Sequence, residues 1–331
     1  MYDFDVLFAD LSKLKVAVVG DVMLDTYLWG NVERISPEAP VPVVALKKKD
    51  FRIGGAGNVA LNTVAFNAST TLFSVIGDDI EGKQLIQLLQ QGNININYLI
   101  ESKDRLTTSK TRIMSRNQQM MRLDNESTND ITSAEEQSLI EKFSAYIGKE
   151  NPSVVILEDY NKGVLSENVI AEVIEICRKK NIITTVDPKR KNFFSYKGAT
   201  IFKPNLKEIR DALNKISIDV TRESLQDIHS ELKSNLDHEI SLITLSEHGI
   251  FFNDTSDSAI IPTHVRNIAD VSGAGDTVIA VASLFYAATK DIYLASSIAN
   301  IAGGLVCEAV GTVSINKENL LAECKKLIRP A

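Results

Sequence analysis

Short apolar runs recur along the chain and stop abruptly on Gly, Asp, Asn or Glu. KVAVVG (15–20), TTLFSVIG (70–77), SVVILED (153–159), IITTVD (182–187), ATIFKPN (199–205) and ISLITLSE (240–247) are β-branched and apolar at consecutive positions. Continuous apolarity marks strands buried on both faces, whereas a half-exposed sheet alternates. Between these runs, apolar positions recur at helical spacing in 57–67, 82–91, 133–147, 166–180 and 221–235, with two last helices expected at 291–308 and 316–328. SAEE (133–136) reads as a capping box. The alternation predicts an α/β fold, a mostly parallel central sheet with helices on both faces. Two stretches, about 28–50 and 105–124, lack helical spacing and read as extended, antiparallel-prone strands. Inserted into a βαβ series, such strands predict a small separate β sheet, placed as a lid over the strands' carboxyl ends. One domain over 1–331 carrying this lid is the expected organisation.

Composition narrows the function classes. Apolar content of 44%, charged content of 24% and a net charge of −7 suit a globular protein and disfavour a nucleic-acid backbone as partner. KKKD (47–50) and KRK (189–191) are the short basic runs. Cys177, Cys307 and Cys324 are far apart with no CxxC spacing, which predicts free, inert thiols. The first fifteen residues lack a signal-peptide pattern and no apolar run reaches membrane-span length, so a cytoplasmic protein is expected.

The candidate chemistry gathers where glycines open into helices. DVSGAGDT (270–277) precedes the apolar run VIAVASLFYAA (278–288). A helix N-terminus carries unpaired N–H groups and a partial positive charge, so it holds anions, and glycine lets a ligand approach closely. Asp276 at that junction reads either as a helix-end carboxylate near the dipole or as a base that takes a proton from an attacking hydroxyl. RIGGAGNVALNTVAFN (52–67) is a second such entry and nominally fits G-x-G-x-x-A at Gly55, Gly57 and Ala60, with Asp78 downstream. It does not follow the first strand, so an NAD(P)-dependent oxidoreductase is the weaker alternative; close packing, or a cradle for a polyhydroxy ligand with Asn58, fits as well. GDDIEGKQ (77–84) mimics a P-loop but has Gln84 where a hydroxyl should bind magnesium. Asp25 in GDVMLD (20–25) reads as a sugar-hydroxyl acceptor or a cap. Asn205 and Glu208 in KPNLKE (203–208) read as a capping box, as magnesium-water ligands, or as both.

GG-x-GN, N-x-x-E and D-x-x-GAGD, in this order across nearly the whole chain, resemble the PfkB (ribokinase-like) carbohydrate kinases. The segments 20–44, KTRIMSRNQQMMRLD (110–124), EDYNKGVL (158–165), DPKR (187–190) and DVSGAGDTV (270–278) are most similar to the kinase domain of bacterial D-glycero-β-D-manno-heptose 7-phosphate kinases. That resemblance implies ATP-dependent phosphorylation of the heptose 7-phosphate to the 1,7-bisphosphate, toward ADP-heptose for the lipopolysaccharide core. Another PfkB substrate, such as ribose, fructose or fructose 1-phosphate, is the alternative within the class, and a silent sugar-binding regulator a third reading. No adenylyltransferase signature is present, so only the kinase reaction is expected.

The resemblance also implies roles for residues. Asp276 would be the base, and the N–H groups of Gly273, Ala274 and Gly275 the anion hole. Asp25, Gly54, Gly55 and Asn58 would hold the sugar, while Asn205 and Glu208 organise magnesium beside ATP. Ser246, Gly249 and Asn300 fall where the family places the nucleotide, and Asp270 where many relatives bind a monovalent cation such as potassium. The substrate's phosphate needs further cations; among Lys110, Arg112, Arg116, Arg122, Lys162, Lys189 and Arg190, the forked Arg112 and Arg122, then Lys189, are favoured. PVPVVAL (40–46) predicts a homodimer joined through the lid.

Overall fold

In the computed structural model, which describes residues 3–116 and 118–328, the buried runs become strands and the amphipathic runs helices. Position 117 of the expected lid and residues 1–2 and 329–331 lie outside the described residues. In chain order, α1 (Phe4–Asp10) precedes β1 (Lys15–Gly20), and two long strands follow, β2 (Val22–Ile35) and β3 (Pro42–Gly55). Next come α2 (Ala56–Val64), β4 (Ser69–Phe73), β5 (Val75–Gly77), α3 (Ile80–Gln91), β6 (Ile100–Ser102), β7 (Ser109–Ser115) and β8 (Gln118–Asn125). The second half runs α4 (Ser133–Glu150), β9 (Val154–Glu158), α5 (Glu167–Lys179), β10 (Ile183–Asp187), β11 (Ile201–Phe202), α6 (Leu206–Ala212) and α7 (Arg222–Leu236). It ends with β12 (Ile240–Thr244), β13 (Ile250–Asn253), β14 (Ser258–Ile261), α8 (Ala274–Thr289), α9 (Ile292–Val306) and α10 (Lys317–Leu327).

The main sheet has eight strands in the order β14-β13-β12-β11-β10-β9-β1-β4. Pairings from β4 to β12 are parallel, and β13 and β14 close one edge as an antiparallel hairpin. Alternate residues of each strand feed two cores: Val16 and Val18 pack with α2, α8 and α9, while Ala17 and Val19 pack with α4, α5 and α7. This double burial is why the strands read as unbroken apolar runs.

Local polar chemistry moved several predicted boundaries. The run 70–77 splits because Ser74 donates to the Gly20 carbonyl at 2.6 Å, after which β5 leaves to pair with β6. Of the run 199–205, Ile201 and Phe202 form β11 and Asn205 makes an isolated bridge to Thr244, the ladder breaking at Pro204, which has no N–H to offer. The box that starts α4 lies one residue earlier than SAEE: Thr132 caps the Glu135 N–H, and Glu135 accepts from the Thr132 N–H at 2.8 Å. No membrane-length apolar helix occurs among the described residues.

The second sheet has the order β3-β2-β7-β8. Its first two strands outrun the predicted 28–50 at both ends, pairing without interruption of the ribbon from Val22↔Gly55 to Ile35↔Pro42 around two bulges. The expectation of antiparallel strands fails at β2 and β7, which pair in parallel. Both strands start at the main sheet and run outward, so they share a direction.

One residue ties the two sheets together. Asp21 joins β1 to β2, and its N–H donates to the Glu158 carbonyl while its own carbonyl accepts from Ala56 N at the start of α2. Its buried carboxylate accepts from the N–H groups of Tyr160 (2.9 Å), Lys162 (2.9 Å) and Val164 (3.0 Å). Burial pushes its pKa up, against the pull of those three donors. Asp21→Asn would turn an amide N–H₂ toward N–H donors and leave some unpaired. The expected cost is at least about 2 kcal/mol, read as a lowered urea midpoint; a wild-type midpoint would show that the loop after β9 holds its shape without this carboxylate.

Candidate active site

Gly20, Glu158 and Asp187 end three neighbouring parallel strands and stand in register, so the carboxyl edge of the sheet presents a row of acids. α8 begins opposite them. Gly273 caps it at φ +80°, a left-handed conformation that favours glycine, and a Cβ there would lie 2.9 Å from the Asn58 amide nitrogen. A Cβ at Gly275 would lie 3.7 Å from Asp187 Oδ2 and 3.9 Å from Lys203 Nζ. The N–H groups of Gly273 and Gly275 at this helix end, with that of Ala274 on the Val271 carbonyl at 3.3 Å, therefore lie near a lysine and an acid.

Asp276 sits in the first turn of α8 and is only 3% exposed. Its Oδ2 accepts from Asn58 Nδ2 at 2.8 Å, and its Oδ1 accepts from the Tyr160 hydroxyl at 2.7 Å. Burial raises its pKa to about 6, against the pull of those two hydrogen bonds. Tyr160 itself is pushed well above the usual phenol range by burial and by the Asp276 charge, so it stays protonated and donates. A carboxylate with this pKa, held by two donors beside an anion-binding helix end, is equipped to accept a proton near neutral pH.

Around it, acids and lysines are matched. Asp187 contacts Lys189 Nζ at 3.0 Å and Lys203 Nζ at 2.8 Å, and Lys189 also reaches Glu208 Oε1 at 2.8 Å. Burial opposes the charge on Asp187, but the two lysines outweigh it and hold its pKa below the ordinary value. Lys189 loses by burial and gains more from Asp187 and Glu208, so it is held well above. Glu158 is different: it is wholly buried, and neither carboxylate oxygen has a hydrogen-bond partner among the described residues. Burial, then the charges on Asp187 and Asp276, drive its pKa far up.

Each residue singled out in the sequence has a definite place. Asp25 is 2% exposed and pairs with Arg112 Nη1 at 2.5 Å, and a Cβ at Gly54 would lie 2.7 Å from Asp25 Oδ2. Gly55 has φ +60° and presses its Cα against the Asp21 carbonyl. Asp25, Gly54, Gly55 and Asn58 thus line the junction of the two sheets. Arg112 joins that group, but Arg122 does not: it is half-exposed on β8 and pairs with Asp124 at 2.9 Å. Asn205 and Glu208 form a reciprocal capping box on α6, which leaves Glu208 Oε1 to Lys189. Ser246 (φ +53°) and Gly249 (φ +94°) shape a turn before β13. Gly249 abuts the Ile261 carbonyl, and Asn300 donates to the Pro262 carbonyl at 2.9 Å, so these three converge. Asp270 accepts from Ser272 and from Gly311 N at 2.9 Å, which uses both of its oxygens.

Tyr160, Glu158, Lys203 and Asp21 do not stand out in the sequence as site residues. All four lie in or beside the segments that carry its motifs, and EDYNKGVL holds two of them. The missing signal is the fold, which brings residue 160 onto residue 276. Arg52 escapes sequence reasoning as well; it lies 4.7 Å from the Tyr27 ring centre and donates to the Val310 and Thr312 carbonyls, fastening the second sheet to the loop after α9.

Comparison with known proteins gives the family and the fold. The family model described as pfkB family carbohydrate kinase matches residues 13–319. The bifunctional protein HldE of Citrifermentans bemidjiense is 41% identical over 96% of this chain and 64% of its own length. That of Helicobacter hepaticus is 39% identical over 93% of this chain and 63% of its own length. The chain therefore spans less than two thirds of these relatives. Phosphofructokinase-2 from Escherichia coli, solved in complex with potassium, superposes with a TM-score of 0.78 at 16% identity, covering 94% of this chain and 99% of that one. Ribokinase from Arabidopsis thaliana, solved with ribose and ATP, gives 0.72 at 15% identity over 93% and 98%.

Removing one donor tests the electrostatics of Asp276 directly. Tyr160→Phe deletes a hydrogen bond that favours the charged carboxylate, so its pKa should climb above about 6. Carboxylate NMR or infrared titration of the free protein would show it; an unmoved titration would mean that the phenol contributes nothing.

Proposed function

Because the chain belongs to the pfkB family of carbohydrate kinases, and is therefore a phosphotransferase, we propose that it phosphorylates D-glycero-β-D-manno-heptose 7-phosphate at O1, using ATP. The observation that carries the reaction is Asp276, a buried carboxylate with a pKa near 6 at the N-terminus of α8. The sugar rests on the resemblance of 20–44, 110–124 and 158–165 to heptose 7-phosphate kinases, supported by 41% identity to a bifunctional HldE. In that reading the product leads toward ADP-heptose for the lipopolysaccharide core.

Asp276 takes the proton from the attacking hydroxyl while Asn58 and Tyr160 hold both of its oxygens in place. The N–H groups of Gly273, Ala274 and Gly275 meet the charge that spreads over the phosphoryl oxygens as it moves, with Lys203 and Lys189 behind them. Asp25, Gly54 and Gly55 receive the sugar. Ser246, Gly249 and Asn300 mark the nucleotide end, where the β13–β14 hairpin meets α9. A magnesium ion brought by ATP would neutralise phosphate charge, and Glu208 and Asn205, whose oxygens serve the α6 capping box and Lys189, would hold it through its water shell.

Asp276→Asn is expected to cut turnover by several orders of magnitude with sugar binding largely kept. In wild type, kcat/KM should fall as pH drops below about 6, because the base must be unprotonated. A coupled ADP-release assay with heptose 7-phosphate, ribose, fructose, fructose 1-phosphate and fructose 6-phosphate tests the substrate. Turnover confined to the first supports the reading; turnover of another sugar removes the heptose step and keeps the chemistry.

We also propose that a second copy covers the outer strip of the second sheet. Ile35, Val41, Leu46, Met121 and Leu123 are all more than half exposed there. Light scattering at micromolar concentration should give a dimer, and a monomer would count against it.

A further inference from the structure

We propose that Lys110 and Lys162 jointly bind the phosphate that the sugar substrate already carries, with Glu126 occupying their ammonium groups until it arrives. This rests on the reading of the chain as a sugar phosphate kinase.

Three side chains meet where the second sheet returns to the main one. Lys162 Nζ contacts Glu126 Oε1 at 2.7 Å, and Lys110 Nζ stands 4.0 Å from Glu126 Oε2. They are largely buried, with side-chain exposures of 11%, 16% and 23% for Lys162, Lys110 and Glu126. Among the described residues, Glu126 Oε2 is buried without a hydrogen-bond partner, and Lys110 Nζ comes no nearer than that 4.0 Å to any carboxylate. Burial and the neighbouring Lys162 both work against the charge on Lys110.

The arginines of β7 and β8 are already matched. Arg122 pairs with Asp124 at 2.9 Å, and Arg112 with Asp25 at 2.5 Å. Lys110 and Lys162 share one carboxylate, which leaves one positive charge over. A phosphate monoester carries nearly two negative charges near neutral pH and three acceptor oxygens, so it satisfies both ammonium groups where one carboxylate oxygen pair does not.

Position ties this cluster to the reacting centre. Lys162 is two residues from Tyr160, at most about 7 Å along the backbone, and Tyr160 touches Asp276. Asp21 grips the N–H groups of both, and Arg105 donates to the Lys162 carbonyl, so the spacing is fixed. That arrangement suits a sugar with its phosphate at one end and the reacting hydroxyl at the other. Lys110 belongs to the second sheet and Lys162 to the loop after β9, so one phosphate bridges both.

The test is the ratio of dissociation constants for heptose 7-phosphate and unphosphorylated heptose, by calorimetry on the full chain. Lys110→Met and Lys162→Met should each weaken the phosphorylated sugar by about 10- to 100-fold, the value of a charged hydrogen bond, and leave the plain sugar and the KM for ATP unchanged. Lys162→Arg should recover part of the loss. Glu126→Gln should act in the opposite direction and tighten sugar phosphate binding, which a purely structural role would not produce. A wild-type ratio in both methionine variants overturns the inference, as does a wild-type preference for unphosphorylated sugars. If wild type uses a different sugar phosphate with the same lysine dependence, the heptose assignment fails and this inference stands.

Discussion

The architecture of the site depends on the burial of one carboxylate. Asp21 satisfies three backbone N–H groups of the loop after β9, and its own main chain binds β9 and the start of α2. A loop with these N–H groups unpaired in a dry interior would lose more than it gains by packing. With them paired, residues 160–164 become as rigid as the strands beside them. Tyr160 can then aim at Asp276, and α2 can bring Asn58 to the other oxygen of the same carboxylate. The Asp276 carboxylate is held from two sides by segments that one aspartate has already joined.

Crowding acids at the carboxyl edge of a sheet would be self-defeating if all were charged. The structure divides them by environment. Two lysines hold the Asp187 pKa below the ordinary value, burial drives that of Glu158, unpartnered among the described residues, far up, and Asp276 is raised to about 6. The difference comes from neighbours, since all three are buried. The one raised to about 6 is the one that lies at the helix N-terminus.

The main sheet was readable because burial on both faces writes itself as unbroken apolar runs. The entries to α2 and α8 were readable because glycines at a helix start mark a left-handed turn or a close approach, and both occur here at Gly55 and Gly273. Asp276 and Asn58 followed from those. Tyr160 did not, because the contact spans residues 160 and 276 and no local spacing encodes it. The cationic residues were the least legible part. The planarity of arginine favoured Arg112 and Arg122, yet whether a cation is free depends on which acid lies beside it. The structure gives Arg122 to Asp124 and Lys189 to Asp187 and Glu208. The parallel pairing of β2 with β7 was hidden for the same reason, since direction is a property of the path and not of composition.

The ribbon formed by β2 and β3 has no flexible stem. It is paired from its root at Val22 and Gly55, where Asp21 and α2 begin, and its irregularities lie at Trp29/Gly30 and Val32/Arg34, well out along its length. A cover built this way cannot swing like a loop. It must bend as a lever, and its root residues, Asp25 and Gly54, belong to the surface it covers. Bending at the root therefore moves Asp25 and Gly54 together. Collective bending of this kind takes microseconds to milliseconds rather than the nanoseconds of a free loop. The flexibility of this sheet is consequently that of a paired β ribbon, and a glycine introduced near its root would loosen it without touching Asp276.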